Sequence, residues 1–123
     1  MFVPKSFSIR SERCGRVHRI APLGELDIAS VPELRQQFEA AFVDGDAEMI
    51  VVDLTRLDFV DSTGLRLLLE MNAVCEHADR LRVVNGCPAV MRLFDITGMR
   101  AYLPIIASDD DPLAPLLAQG SRS

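Results

Sequence analysis

The chain has 123 residues, a formal net charge of −5, and a composition that is 49% hydrophobic and 25% charged. That length suits one domain with a self-sufficient core, and the ordinary globular composition excludes a wholly disordered or fibrous chain. The acidity argues against direct nucleic-acid binding, which takes a basic surface.

Phe7 and Ile9 alternate with Ser6, Ser8 and Arg10, which predicts a short half-exposed strand followed by a turn at Glu12-Arg13-Cys14-Gly15. Residues 16–23 form a second strand, expected to lie at an edge or to end near Pro22, which has no amide donor. Ser30-Val31-Pro32-Glu33 offers a hydroxyl cap with a glutamate three residues on. Val31, Leu34, Phe38, Ala41 and Phe42 then follow at helical spacing as far as Asp44-Gly45-Asp46. Residues 49–54 are apolar except for Asp53, the pattern of a strand buried on both faces. A second helix is expected over 62–78 and a strand over 81–84. Gly86-Cys87-Pro88 opens a third helix that Gly98 stops, and a last strand covers 102–106. The text then turns acidic and proline-broken, so residues 1–107 are expected to form the domain. Residues 108–123 would be a tail, flexible or docked as a short helix through Leu113, Leu116 and Leu117. The order β-β-α-β-α-β-α-β predicts an α/β fold. Its mixed, mostly parallel sheet would have four to five strands, an antiparallel edge pair and about four packed helices.

Chemistry concentrates between the buried strand and the second helix, at Asp58-Phe59-Val60-Asp61-Ser62-Thr63-Gly64-Leu65. A strand that delivers a serine to a helix N-terminus sets its hydroxyl on a rigid scaffold. The orphan backbone N–H groups there favour negative charge. Ser62 therefore reads as a phosphate acceptor, with Thr63, one step further into the helix, as a less accessible competitor. The plainer alternative is that both hydroxyls are helix caps. Along the helix, Val74, Leu67, Met71, Cys75 and Leu68 make one arc toward the sheet, while Leu65, Leu69 and Ala73 make a separate stripe. That stripe is either covered by another layer or exposed as a docking patch. Asp27 either accepts N–H bonds in the turn before the first helix or faces a partner.

Asp53 at a strand end suggests a phosphoaspartate site, but such a site also wants neighbouring acids and a lysine on the last strand, and the only lysine is Lys5. His18 and His77 do not form a ligand set with their neighbours, so no metal is expected. Neither a nucleophile elbow, a P-loop nor a dinucleotide fingerprint is present, so the chain reads as no enzyme and as needing no cofactor. Cys14, Cys75 and Cys87 lack C-x-x-C spacing, and no window nears the roughly 18 apolar residues of a membrane span. Residues 1–6 lack a signal-like apolar stretch. A cytoplasmic setting without membrane insertion is expected.

Gly24-Glu25-Leu26-Asp27, the apolar strand into Asp53-Leu54, and Asp61-Ser62-Thr63-Gly64-Leu65 together resemble a STAS domain of the anti-sigma factor antagonist family, over residues 7–106. Pro22, two residues before Gly24, departs from that pattern. The resemblance implies that Ser62 is phosphorylated by a partner kinase that is also an anti-sigma factor. The unphosphorylated form would bind this kinase and release a sigma factor, and a serine phosphatase would restore the hydroxyl. It implies that Asp27, Asp61, Thr63 and Gly64 flank or shape the binding surface, to which the helix analysis adds Leu65 and Leu69. A weak homodimer is compatible with this reading. The alternative from another class is a structural STAS subunit of a larger assembly, a lipid-transport complex or a stress-signalling scaffold, in which Ser62 is only a cap.

Overall fold

The computed structural model describes residues 7–44, 47–75 and 80–108. Strands β1 (Ser8–Cys14) and β2 (Val17–Leu26) form an antiparallel hairpin in the register Ser8↔Leu23 to Cys14↔Val17. The strand runs through the expected turn at residues 12–15 and reverses at Gly15-Arg16, where Gly15 takes φ +59° at no steric cost. Then follow α1 (Val31–Val43), β3 (Met49–Asp53), β4 (Leu57–Val60), α2 (Ser62–Cys75), β5 (Leu81–Val84), α3 (Pro88–Thr97), a 3-10 turn (Met99–Tyr102) and β6 (Ile105–Ile106).

The sheet order is β1-β2-β3-β5-β6, parallel from β2 onward, with β4 paired parallel to β2. The predicted α/β class with its mostly parallel sheet and antiparallel edge is therefore the observed one. Among the described residues there are six strands rather than four or five, and three α-helices rather than four. The additional strand is β4, and part of the predicted last strand is instead the 3-10 turn at Met99–Tyr102. The predicted extension of α2 to 78, with His77, and the acidic stretch 109–123 lie outside the described residues.

Strand β2 organises the fold by changing partners. Val17 to Ile20 pair with β3, and Gly24 to Leu26 pair with β4. Pro22 is buried inside this ten-residue strand and does not end it. It is tolerated because residues 21–23 fall between the two parallel ladders, where no strand asks for a donor on that side. Gly24, at φ 98°, supplies the irregularity that re-aims the strand toward β4.

One hydrophobic core forms where α1 (Leu34, Phe38, Ala41) and α2 (Leu67, Leu68, Met71, Cys75) meet Ile20, Ile50, Val52, Leu81 and Val83. The buried face of α3 joins it through Val90, Met91 and Phe94. Each fully buried aliphatic or aromatic side chain contributes about 1.5–3 kcal/mol relative to its exposed state. The predicted arc of α2 is right except at Val74, which is 52% exposed at the α1–α2 groove rather than against the sheet. Pro88 in the first turn of α3 and Gly98 at φ 71° after its end match the predicted start and stop. No helix among the described residues is long and apolar enough to cross a membrane.

Candidate functional site

Asp61 is the hinge between β4 and α2. Its N–H donates to the Leu26 carbonyl (3.1 Å), which pins the helix entry to the end of β2. Its carbonyl accepts the Leu65 N–H (3.0 Å), the first helical bond. Its Oδ1 accepts the Gly64 N–H (3.0 Å) and the Thr63 hydroxyl (2.5 Å). This is an N-cap, and it satisfies an orphan donor of the first turn. Burial alone would raise the Asp61 carboxyl, but hydrogen bonds from the Thr63 hydroxyl and from the Gly64, Thr63 and Ile28 N–H groups outweigh it and hold the pKa below the ordinary aspartate value.

Capping therefore belongs to Asp61 and not to Ser62 or Thr63. Ser62 occupies the first position of α2, is exposed, and its hydroxyl makes no hydrogen bond to any described residue. Thr63 is half-buried with its hydroxyl committed to Asp61. Gly64 is buried for a packing reason: a Cβ there would lie 2.8 Å from both Leu26 Cγ and Val60 Cγ2. Absence of that Cβ lets the helix start close against β2 and β4.

Leu65, whose stripe is open by sequence to either a covered or an exposed reading, is 4% exposed and belongs to the core with Val60, Leu67 and Leu68. Leu69 is half-buried and packs against the same core. The covered-stripe reading is thus the observed one for Leu65 and largely so for Leu69.

The loop between β2 and α1 forms the other wall. Asp27 Oδ1 accepts the Ala29 and Ser30 N–H groups (3.0 and 3.2 Å), the turn role anticipated as one alternative. Ser30 does not make the expected capping box. Its hydroxyl donates to the Glu25 carbonyl (2.7 Å) and accepts the Asp27 N–H (2.9 Å), so it fastens the loop to the strand end and makes no cap bond to α1. Through the Ile28 N–H this loop also binds the Asp61 carboxylate. Asp27, Asp61, Ser62, Thr63 and Gly64 therefore come from two segments joined at one carboxylate.

Two residues near the site escape a reading by periodicity. Ile28 is 74% exposed and Phe59, two residues before Asp61, is 48% exposed. Phe59 pairs with Glu25 in the β2–β4 register while its neighbour Val60 pairs with Leu26 and is buried. Period-2 alternation would set Phe59 on the buried face with Leu57, but β4 is only four residues long and its burial runs buried-exposed-exposed-buried, so no sequence signal marks Phe59 as exposed.

Asp53 does not offer a free carboxylate. It is 2% exposed, ion-paired to Arg19 across β2 and β3, and accepts the Thr55 N–H (2.9 Å).

A mixed sheet with an exposed, uncommitted hydroxyl at a helix start defines a small α/β domain of the kind that exposes one side chain on a stiff support. The family described as Mlab, STAS domain matches residues 12–106, and the chain belongs to the STAS domain family. The anti-sigma-B factor antagonist of Staphylococcus aureus (strain NCTC 8325 / PS 47) is 35% identical over 83 residues, 67% of this chain and 76% of that protein. The crystal structure of an anti-sigma factor antagonist from Mycobacterium paratuberculosis superimposes with a TM-score of 0.80 at 27% identity, covering 94% of this chain and 97% of the other. The anti-sigma factor antagonist SpoIIAA in its unphosphorylated form gives a TM-score of 0.69 at 25% identity, with coverage of 92% and 97%.

Proposed function

We propose that this chain is an anti-sigma factor antagonist whose Ser62 hydroxyl is its switch. In the unphosphorylated state it binds an anti-sigma factor that is also a serine kinase, and a sigma factor is released. Phosphorylation of Ser62 ends that binding, and a serine phosphatase restores it. The similarity to proteins named anti-sigma factor antagonists supports the general role. The observation that carries the switch is that Ser62 is exposed and free of hydrogen bonds to described residues while Asp61 does the capping.

A phosphate on Ser62 adds about −1.5 to −2 charge and three acceptor oxygens. At the first turn of α2 the dipole offers it roughly 0.3–1 kcal/mol, up to about 2 when partly buried, so the fold tolerates it. A docked partner does not. One uncompensated charge in an interface costs about 2 kcal/mol or more, over tenfold in affinity, and the adjacent Asp61 carboxylate adds like charge. The contact surface in this reading comprises Ser62, the Asp27 loop with Ile28, Asp61, Thr63, Phe59 and the open edge of Leu69. Leu65 and Gly64 support it from below.

The alternative of a structural subunit takes Ser62 as a cap, a task that Asp61 already performs. Incubation with ATP and the cognate kinase, followed by intact-mass measurement, tests the switch: one added phosphate, lost in Ser62→Ala, is expected. In a pull-down, Ser62→Ala should retain the anti-sigma factor and Ser62→Asp should drop it. Equal recovery by both variants overturns the proposal.

A further inference from the structure

Between the two ladders of β2, residues 21–23 have no parallel partner, and a cavity of about 290 Å³ is lined there by Ala21, by Asp53, Thr55 and Arg56 of the β3 end and following turn, and by Arg10 and Glu12 of β1 with Arg19. Its size lies at the lower end of small-molecule sites, roughly 300–1,000 Å³. Crevices at the carboxyl ends of parallel strands, where a sheet forks, are where such sites form.

The cavity's charge runs against that of the chain. Three guanidiniums meet two carboxylates in a protein of net charge −5. The buried Arg19–Asp53 pair cancels internally and stiffens one wall, and Glu12 stands opposite Arg19 in the hairpin register. Arg10 and Arg56 are exposed and make no ion pair with any described residue. The Thr55 hydroxyl, at the same rim, has no hydrogen-bond partner among them either. Guanidinium groups match carboxylate and phosphate oxygens as planar, two-pronged donors.

We propose that this cavity is a binding site for a small oxyanion, a carboxylate or phosphate group, held by Arg10 and Arg56 with the Thr55 hydroxyl. None of its residues is shared with the Ser62 surface. The oxyanion has two sources. One is a free small molecule. The other is the chain's own aspartates at 109–111, which follow β6 in the sequence.

The test is a two-dimensional amide spectrum of the full chain titrated with inorganic phosphate, against sodium chloride at matched ionic strength. If the source is free, the Thr55 and Arg56 amides shift and saturate with phosphate, and the joint Asp109→Asn, Asp110→Asn, Asp111→Asn substitution leaves them unmoved in buffer. If the source is internal, that triple substitution shifts the same amides in buffer and strengthens phosphate binding. In either case Arg10→Gln with Arg56→Gln weakens phosphate binding at least about tenfold, with thermal melting as the control for folding. The proposal is overturned if neither phosphate nor the triple substitution moves these amides beyond the chloride control, or if the response survives loss of both arginines.

Discussion

The Asp61 carboxylate accepts the Gly64 N–H at 3.0 Å, and this one bond decides the status of the serine between them. With the cap supplied from the preceding residue, the exposed Ser62 hydroxyl makes no hydrogen bond to any described residue. Asp61→Ala should therefore lower stability by about 1 kcal/mol, the usual value of an N-cap, or a few degrees in Tm. Ser62→Ala should leave Tm nearly unchanged. Thermal melts of both variants at neutral pH check the contrast, which is the reverse of what a capping serine would give.

A pH dependence follows from the same carboxylate. The Asp61 pKa is held below the ordinary value in the folded state, so the unfolded chain binds the proton more readily. Its stabilisation is complete above the unfolded aspartate pKa and is lost as pH falls through the lower folded value. In Asp61→Asn this contribution to the acid limb of the stability curve disappears. Chemical denaturation at a series of acidic pH values measures the slope.

Gly64 is open to an equally direct test. Alanine favours a helix interior by about 1 kcal/mol over glycine, but here its Cβ would sit 2.8 Å from carbons of Leu26 and Val60. Overpacking costs typically about 1–3 kcal/mol, and both neighbours are buried strand residues with little room to yield. Gly64→Ala is expected to destabilise on balance, read as a lower urea midpoint with an unchanged m-value.

Ile28 and Phe59 supply the apolar part of the proposed contact surface. Their exposure means that Ile28→Ala and Phe59→Ala should change Tm little. Each should weaken binding of the anti-sigma factor about fivefold or more, as an interface residue worth over 1 kcal/mol does. Titration calorimetry with the purified partner decides this, and unchanged affinity in both variants would move the contact surface elsewhere.

Much of this arrangement is legible in the sequence because its signals are local. The apolar run at 49–54, the helical spacing after Ser62 and the Pro88 and Gly98 punctuation each specify their element without help from the rest of the chain. What depends on tertiary context is harder to read. Pro22 looks like a strand terminator until the partner change of β2 is known, and β4 is only four residues long. Ser30 with Glu33 fits a capping box by spacing, yet the Glu25 carbonyl and the Asp27 N–H compete for its hydroxyl and prevail. Ile28 and Phe59 are apolar residues in the open, and an apolar letter in a sequence says nothing about which side it faces.

The partner change of β2 also bears on how the molecule comes apart. Strand β4, which leads into Ser62, is attached to the sheet through the β2–β4 register, three paired positions long, whereas β3 and β5 are stitched along a separate seam. Transient opening of the first seam need not breach the second, so amide exchange would sort the protein into a faster-swapping segment around the serine and a slower slab behind it. Under the proposed switch, a kinase acting on Ser62 would draw on the looser part, while the slab preserves the fold.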